Sequence, residues 1–453
     1  MSAIEAPVLL GRICSAWRTI SLKTPRLWAS LHIVEPPSPS PWDTDYEAAA
    51  FHHEIARRLE MTKMWLDRSG QCPLSISLWG IVEDSEPTAT LQFLQVLIPL
   101  APRWQHIHFT ISPFLIFKIM SNIDFDMPWL ESVAFHCGNS LQPQNTPCGT
   151  FEMLQSARLS SLSIPCCLFA TVGRCLLQWN QLTALTIGQP ESAGIGCTSE
   201  MILLVISKCL QLQSCKLVLC DQRSETSVRE HLIVELPFLH SLAIRCPNST
   251  SVDLAISILL QHLSLPELRN FVFLPSWEHD VNCPAFIDFF ARSTRLESLD
   301  IPNNIFVTPS FHDILRSLPP TIDRLRIRSL PISGWSVSPR RADDAMLQVL
   351  TTPGLCPTLR DLVIEQGTDI SDAAVLQFIT ARMLQFSPAT LRRFEIKFDR
   401  GMTVDIMPSL QSFLETGLTV SLIYPLPFSL SPWGGLDDNP HVTIGSQRRN
   451  DDW

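Results

Sequence analysis

Leu296-Glu297-Ser298-Leu299-Asp300-Ile301 places apolar residues first, fourth and sixth, with polar or charged residues between them. Alternation of this kind over a short stretch marks a strand with one face buried and the other in water. The same spacing recurs at Leu159-Leu162-Ile164, Leu182-Leu185-Ile187, Leu239-Leu242-Ile244 and Leu359-Leu362-Ile364. Looser copies stand around these, at Trp104-Ile107-Phe109, Leu130-Val133-Phe135, Leu212-Cys215-Leu217, Leu268-Phe271-Phe273, Ile322-Leu325-Ile327 and Leu391-Phe394-Ile396.

Counted from their first residues, the copies follow one another at intervals of 23 to 37 residues, with a mean of about 29. Between them lie stretches of helical character: Ser199 to Leu212, Ser251 to Leu263, Pro284 to Ser293, Pro309 to Leu318, Ser371 to Leu384 and Val404 to Glu415. Ser199, Ser251 and Ser371, each with an acidic residue close behind, are helix-start signals. A strand, a helix and a return to a strand at near-constant period predict an α/β fold of the leucine-rich-repeat type. In it, parallel strands line the inner face of a solenoid and helices lie outside. The Asn or Cys that commonly follows the strand is missing from most copies, so an irregular solenoid is expected. A doubly wound α/β sheet is the competing architecture, although nothing in it requires a fixed period.

Leu74-Ile76-Leu78 and Leu418-Val420-Leu422 add one strand at each end, so the array is expected over residues 71–424. Residues 35–70 precede it as a linker, Glu35 to Pro41 (EPPSPSP), and a helix, Asp43 to Asp67, that shields the first repeat. Residues 425–453, rich in Pro, Gly and Asp, read as a disordered tail.

The chain has 453 residues, 45% of them hydrophobic, and carries 34 Lys and Arg against 44 Asp and Glu, a net charge of −10. Such a balance gives no field to attract nucleic acid or anionic lipid. The longest apolar run, Met201 to Ile206, is far short of the roughly 20 residues that cross a bilayer. The opening MSAIEAPVLLGRICSAW lacks the features of a secretory leader, so residence in the cytosol or nucleus is expected. Fourteen scattered cysteines, Cys209, Cys215 and Cys220 among them, show no C-x-x-C spacing and read as reduced, buried small hydrophobes. Asn248-Ser249-Thr250 matches a glycosylation sequon by chance alone if no secretory route exists.

Tests for chemistry fail. His106 and His108 stand at a chelating spacing on one strand face, but no third ligand is suggested nearby. His53-Glu54-Ile55-Ala56-Arg57 departs from the zinc-protease motif at its fifth position. Gly194-Ile195-Gly196 lacks the rest of a dinucleotide or phosphate loop, and no G-x-S-x-G elbow is present. A non-enzymatic protein with no cofactor and no metal is expected. An α/β enzyme with dispersed site residues is the reading from a different class.

The first 34 residues carry the most specific local pattern. Leu9, Leu10, Ile13, Trp17 and Ile20 fall near helical spacing on one apolar face, and Pro25 opens a turn into Leu27-Trp28. LLGRICSAWRTISLKTPRLWASLHI resembles the second half of an F-box of the kind common in mushroom-forming fungi. The matches are Leu9-Leu10, Ile13-Cys14, Trp17-Arg18 and Pro25-Arg26-Leu27-Trp28. Trp65 to Gly70, followed by Cys72-Pro73-Leu74, is similar to the segment that joins that box to its repeats. The sequence enters the pattern after the Leu-Pro helix with which such a box opens, so residues 1–34 are expected to form a partial F-box. The resemblance implies a substrate receptor of an SCF-type ubiquitin ligase. Leu9, Leu10, Ile13, Cys14, Trp17, Pro25, Leu27 and Trp28 would meet the cullin adaptor, while the repeats hold a target protein. A repeat scaffold without ligase coupling is the alternative. Trp17 and Trp28 have a plain reading too, as core aromatics that pack the box.

Residues that alternate with the buried Leu and Ile face the partner side of the strands. Early and middle copies offer small groups such as Ser161, Ser163, Ala184, Thr186, Ser241 and Ala243. Later copies offer charge: Arg324, Arg326 and Arg328, then Asp361 and Glu365, then Arg393, Glu395 and Lys397. Such a stripe suits a charged peptide or loop, with arginine able to grip carboxylate or phosphate through two bonds. The bland reading is a solvated strand face. Trp335, in the insertion Ser329 to Arg341, is a further candidate contact.

Overall fold

The computed structural model describes residues 7–38, 45–80, 88–123, 126–137, 152–166, 168, 177–188, 196–220, 233–246, 252–275, 281–308, 310–329, 342–367, 369–385 and 391–425. Two compact units divide the chain, Met1–Glu267 and Leu268–Trp453. Both are mixed α/β structures built on parallel strands.

In the first unit the strands are β1 (Ser30–Val34), β2 (Leu74–Trp79), β3 (Trp104–Thr110), β4 (Ser132–His136), β5 (Ser161–Ile164), β6 (Ala184–Ile187), β7 (Ser214–Val218), β8 (Val234–Glu235), β9 (Ser241–Cys246) and β10 (Leu263–Ser264). They lie in the order β1-β2-β3-β4-β5-β6-β7-β9, every neighbour parallel, while β8 pairs with β10. In the second unit they are β11 (Asn270–Pro275), β12 (Val281–Asn282), β13 (Ser298–Pro302), β14 (Phe306–Thr308), β15 (Arg324–Arg328), β16 (Asp361–Ile364), β17 (Arg393–Lys397) and β18 (Thr419–Ile423). Their order is β11-β13-β15-β16-β17-β18, again all parallel, with β12 paired to β14. Within each unit the order never reverses, whereas a doubly wound sheet reverses at its switch point.

The alternation read from the sequence is the alternation of burial. Ile107, Val133, Leu162, Leu185, Cys215 and Leu242 stand opposite one another along successive strands, each no more than 2% exposed. Leu299, Leu325, Leu362 and Phe394 form the corresponding row in the second unit. Burial of each such side chain contributes about 1.5–3 kcal/mol. Helices return the chain between many of the strands and add their own apolar side: on Ala285–Arg292, Phe286, Phe289 and Phe290 lie 5.1–6.5 Å from Phe271 of β11. Burial pushes the Cys209 thiol up to about 12, which suits a small hydrophobe.

Hydroxyl groups just before several strands tie each to the segment before it. Thr321, just before Ile322, shares its hydroxyl proton between the carbonyls of Thr294 and Leu296 ahead of β13, at 3.1 and 2.7 Å. Thr358 does the same to Pro320 and Ile322, at 2.7 and 2.8 Å. In the first unit Ser156 donates to Met127 and Leu130 carbonyls, at 3.0 and 3.2 Å.

Helix starts follow the short polar residues, with small shifts. Thr198, not Ser199, caps Ser199–Ile206 by accepting from the Met201 N–H, while Ser371 caps Asp372–Gln385 by accepting from the Ala374 N–H. Asp372 has a second task. Its buried carboxylate accepts bonds from Arg400, from the backbone N–H groups of Thr403 and Val404 at 2.8 Å each, and from the Tyr424 hydroxyl at 2.9 Å. Arg382, 1% exposed, donates to the carbonyls of Leu350, Leu355 and Cys356, closing the end of the helix Asp344–Leu350.

Two features of the first unit depart from the sequence reading. The apolar N-terminal stretch is two helices, Val8–Ile13 and Ser15–Leu22, because Cys14 is fully extended between them. Residues 30–34, placed in the box remnant by sequence, are strand β1 and pair with β2. The helix before the array runs Asp45–Arg68, and Arg103 pins its end through Ser69 Oγ at 2.6 Å and the Cys72 carbonyl at 2.9 Å.

Candidate functional site

Charged side chains on the exposed strand face of the second unit are joined into a network. Arg328 of β15 grips Asp300 of β13 through two bonds of 2.7 Å, and both side chains are under 20% exposed. Arg326, two residues back on the same face, donates to Glu365 Oε1 through Nη2 at 2.8 Å and Nε at 3.1 Å. Glu365 follows directly on β16 and also lies 3.6 Å from Arg328, so the four groups form one chain. A two-pronged guanidinium–carboxylate contact fixes both partners in plane.

Among the remaining charged candidates Arg324, Arg393 and Lys397 are exposed, while Asp361 and Glu395 are half-buried. Arg324 and Asp361 are paired in register, as are Asp361 and Arg393. Arg324 and Arg393 keep 57% and 56% of their side-chain surface in solvent. Arg393 reaches Glu395 at 2.7 Å, and the exposed Lys397 lies across from Ile423. Exposed pairs of this kind contribute only about 0.2–1 kcal/mol each, so their arrangement bears on what the face can hold more than on stability. Trp335 lies outside the described residues.

The N-terminal helices carry the other set of candidates. Leu9, Ile13, Trp17, Ile20 and Leu22 are each 41–58% exposed, so the two helices present several large apolar side chains to solvent. Cys14 and Pro25 are exposed, and Leu10 and Leu27 are half-buried. Trp28 is different. It is 3% exposed, donates its indole N–H to the Ser21 carbonyl at 2.7 Å and meets Trp65 edge-on at 4.8 Å, with the Arg68 guanidinium 4.6 Å above its ring. Trp28 thus joins the second helix to Asp45–Arg68, while Trp17 stays open to solvent.

The exposed face of the first unit carries small groups over much of its width, with Lys216 on β7, Arg245 on β9 and histidines on neighbouring strands. His32 bonds Ser77 across β1 and β2 at 3.0 Å, and His108 stacks on His136 across β3 and β4 at 4.7 Å. Burial, with a smaller contribution from His108, brings the His136 imidazole down to about 4; burial and His32 lower His108 in the same direction. Sequence spacing found His106 and His108 only. His32 and His136 enter through strand register, which no local motif encodes. Among the described residues no three His, Cys, Asp or Glu side chains stand together as metal ligands. No helix among them is long and apolar enough to cross a membrane.

Compared with known proteins, the chain matches no family model and no curated protein.

Proposed function

We propose that the chain is a substrate-recognition subunit of an SCF-type ubiquitin ligase: its N-terminal helices dock on the cullin adaptor and a leucine-rich-repeat solenoid, residues 71–424, holds a target protein. It does no chemistry; it works by keeping the target near a ubiquitin-charged enzyme, in the cytosol or nucleus. The observation that carries this reading is the exposure of the large apolar side chains Leu9, Ile13, Trp17, Ile20 and Leu22, in the same helices whose sequence resembles an F-box. Large apolar side chains left uncovered together commonly mark protein contacts. On the target side, the Asp300–Arg328–Glu365–Arg326 network supports a preorganised charged face flanked by the half-buried Asp361 and the exposed groups Arg324, Arg393 and Lys397. A repeat scaffold without ligase coupling is favoured by one observation, the burial of Trp28, which withdraws one of the two box tryptophans from a partner. Co-expression of the full chain with adaptor and cullin tests the choice. A ligase receptor retains the cullin through affinity purification and loses it on Ile13→Asp; retention unaffected by that change, or no retention, contradicts it.

A further inference from the structure

The open edge of β1 faces a cleft that neither the adaptor surface nor the target face includes. In a parallel pair the N–H and C=O of one residue point to the same neighbour, and those of the next residue point away. Ser75 donates to the Ala29 carbonyl and Glu35 donates to the Trp79 carbonyl, so residues 29, 31, 33 and 35 bond β2. Ser30, His32 and Val34 therefore present their backbone groups to the outer edge. Two of these carbonyls are closed by side chains of the helix Asp45–Arg68: Trp65 donates to Ser30, and Arg58 donates to Val34. The helix accordingly runs alongside the edge in the opposite sense to the strand.

Between those two bridges a cleft of about 440 Å³ opens, with His32 and Val34 on one wall and Arg57, Arg58, Met61 and Thr62 on the other. Arg58 and Trp65 are seven residues apart on a helix, roughly 10 Å at 1.5 Å per residue, which matches three residues of extended chain. The Thr62 hydroxyl is fully buried at the wall without a hydrogen-bond partner. Val34 and Met61 are 43% and 39% exposed, giving an apolar shoulder. At the mouth Glu54 is the one carboxylate among the described lining residues and faces two guanidiniums, Arg57 at 2.9 Å and Arg58 at 2.7 Å, so these lining groups carry an excess of positive charge.

We propose that this cleft takes a short extended peptide of a partner protein, about three residues deep and carrying an acidic side chain, which pairs its backbone with His32 on the open edge of β1. An unpaired strand edge is a template for such addition. The acidic side chain meets Arg57 and Arg58, and an alternate apolar one lies on Val34 and Met61.

The test is methyl NMR of the full chain labelled at methionine, with the Met61 signal assigned through Met61→Leu. The probe is an acetylated, amidated pentapeptide alternating valine and aspartate. Saturable movement of the Met61 signal is expected, weakened at least tenfold when the central amides of the probe are N-methylated and at least threefold in Arg57→Glu. A motionless Met61 signal at millimolar probe, or equal binding by the N-methylated peptide, overturns the proposal. So does equal binding by a single acetylated aspartate amide, which would make the cleft a small-molecule site instead.

Discussion

Asp372→Asn removes the charge from a carboxylate whose side chain has no exposed surface, while its partner Arg400 is 22% exposed. One oxygen accepts from Arg400 Nη2 and the Tyr424 hydroxyl; the other accepts from the backbone N–H groups of Thr403 and Val404. An amide cannot serve both sides, because its NH₂ must point at donors whichever way it turns. Leaving a partly buried guanidinium without its counter-charge costs about 3–5 kcal/mol. Burial works to raise the Asp372 pKa, but the bonds from Arg400, Thr403 and Val404 outweigh it and hold the carboxyl well below the ordinary range. A lowered folded-state pKa contributes stability that is present above the unfolded value, about 3.9, and is lost as pH falls through the folded value. Urea unfolding of wild type and variant, followed by tryptophan fluorescence, should therefore differ by that amount at pH 7, and the gap should narrow below pH 4. A difference under about 1 kcal/mol at pH 7, or a gap independent of pH, would refute the reasoning.

Other outcomes follow from the same physics. Trp28→Ala deletes the edge contact with Trp65 and the bond to Ser21, a loss of about 3–5 kcal/mol; limited proteolysis should cut residues 7–29 faster while the strand array stays resistant. Thr358→Val removes the hydroxyl whose proton is shared between the Pro320 and Ile322 carbonyls and should lower urea stability by about 0.5–1.5 kcal/mol. For His136 the folded value of about 4 lies below the unfolded value of about 6.5. The unfolded chain thus takes up a proton first, and stability falls as pH drops from about 6.5 to 4, by up to about 3 kcal/mol. His136→Asn should flatten the denaturation midpoint over that range, and an unchanged slope would contradict the burial argument.

How far the sequence carried depended on range. Leu299 and Ile301 announce β13 because burial alternates with the same period as the residues, and the end strands β2 and β18 were legible on that signal too. Strand β1 was not, although Leu31 and Ile33 alternate with Ser30 and His32, because five residues inside a stretch resembling an F-box read as part of the box. The break at Cys14 lies in backbone angles that no residue nearby compels. Asp372 reads locally as a helix start; its partners Arg400 and Tyr424 lie 28 and 52 residues on and are set by tertiary packing. Charge at Arg326, Arg328 and Glu365 was visible as a stripe, yet its closure into a network needs the register of β13, β15 and β16.

Calorimetric titration of the full chain with the cullin adaptor, beside the double substitution Ile13→Asp and Trp17→Ala, tests the central claim most directly. Both side chains are exposed, so the fold should survive and a loss of heat reports the contact alone. Saturable binding by the wild type, abolished in the folded variant, is the predicted result. No binding by the wild type, or binding that the substitutions leave untouched, would contradict the account.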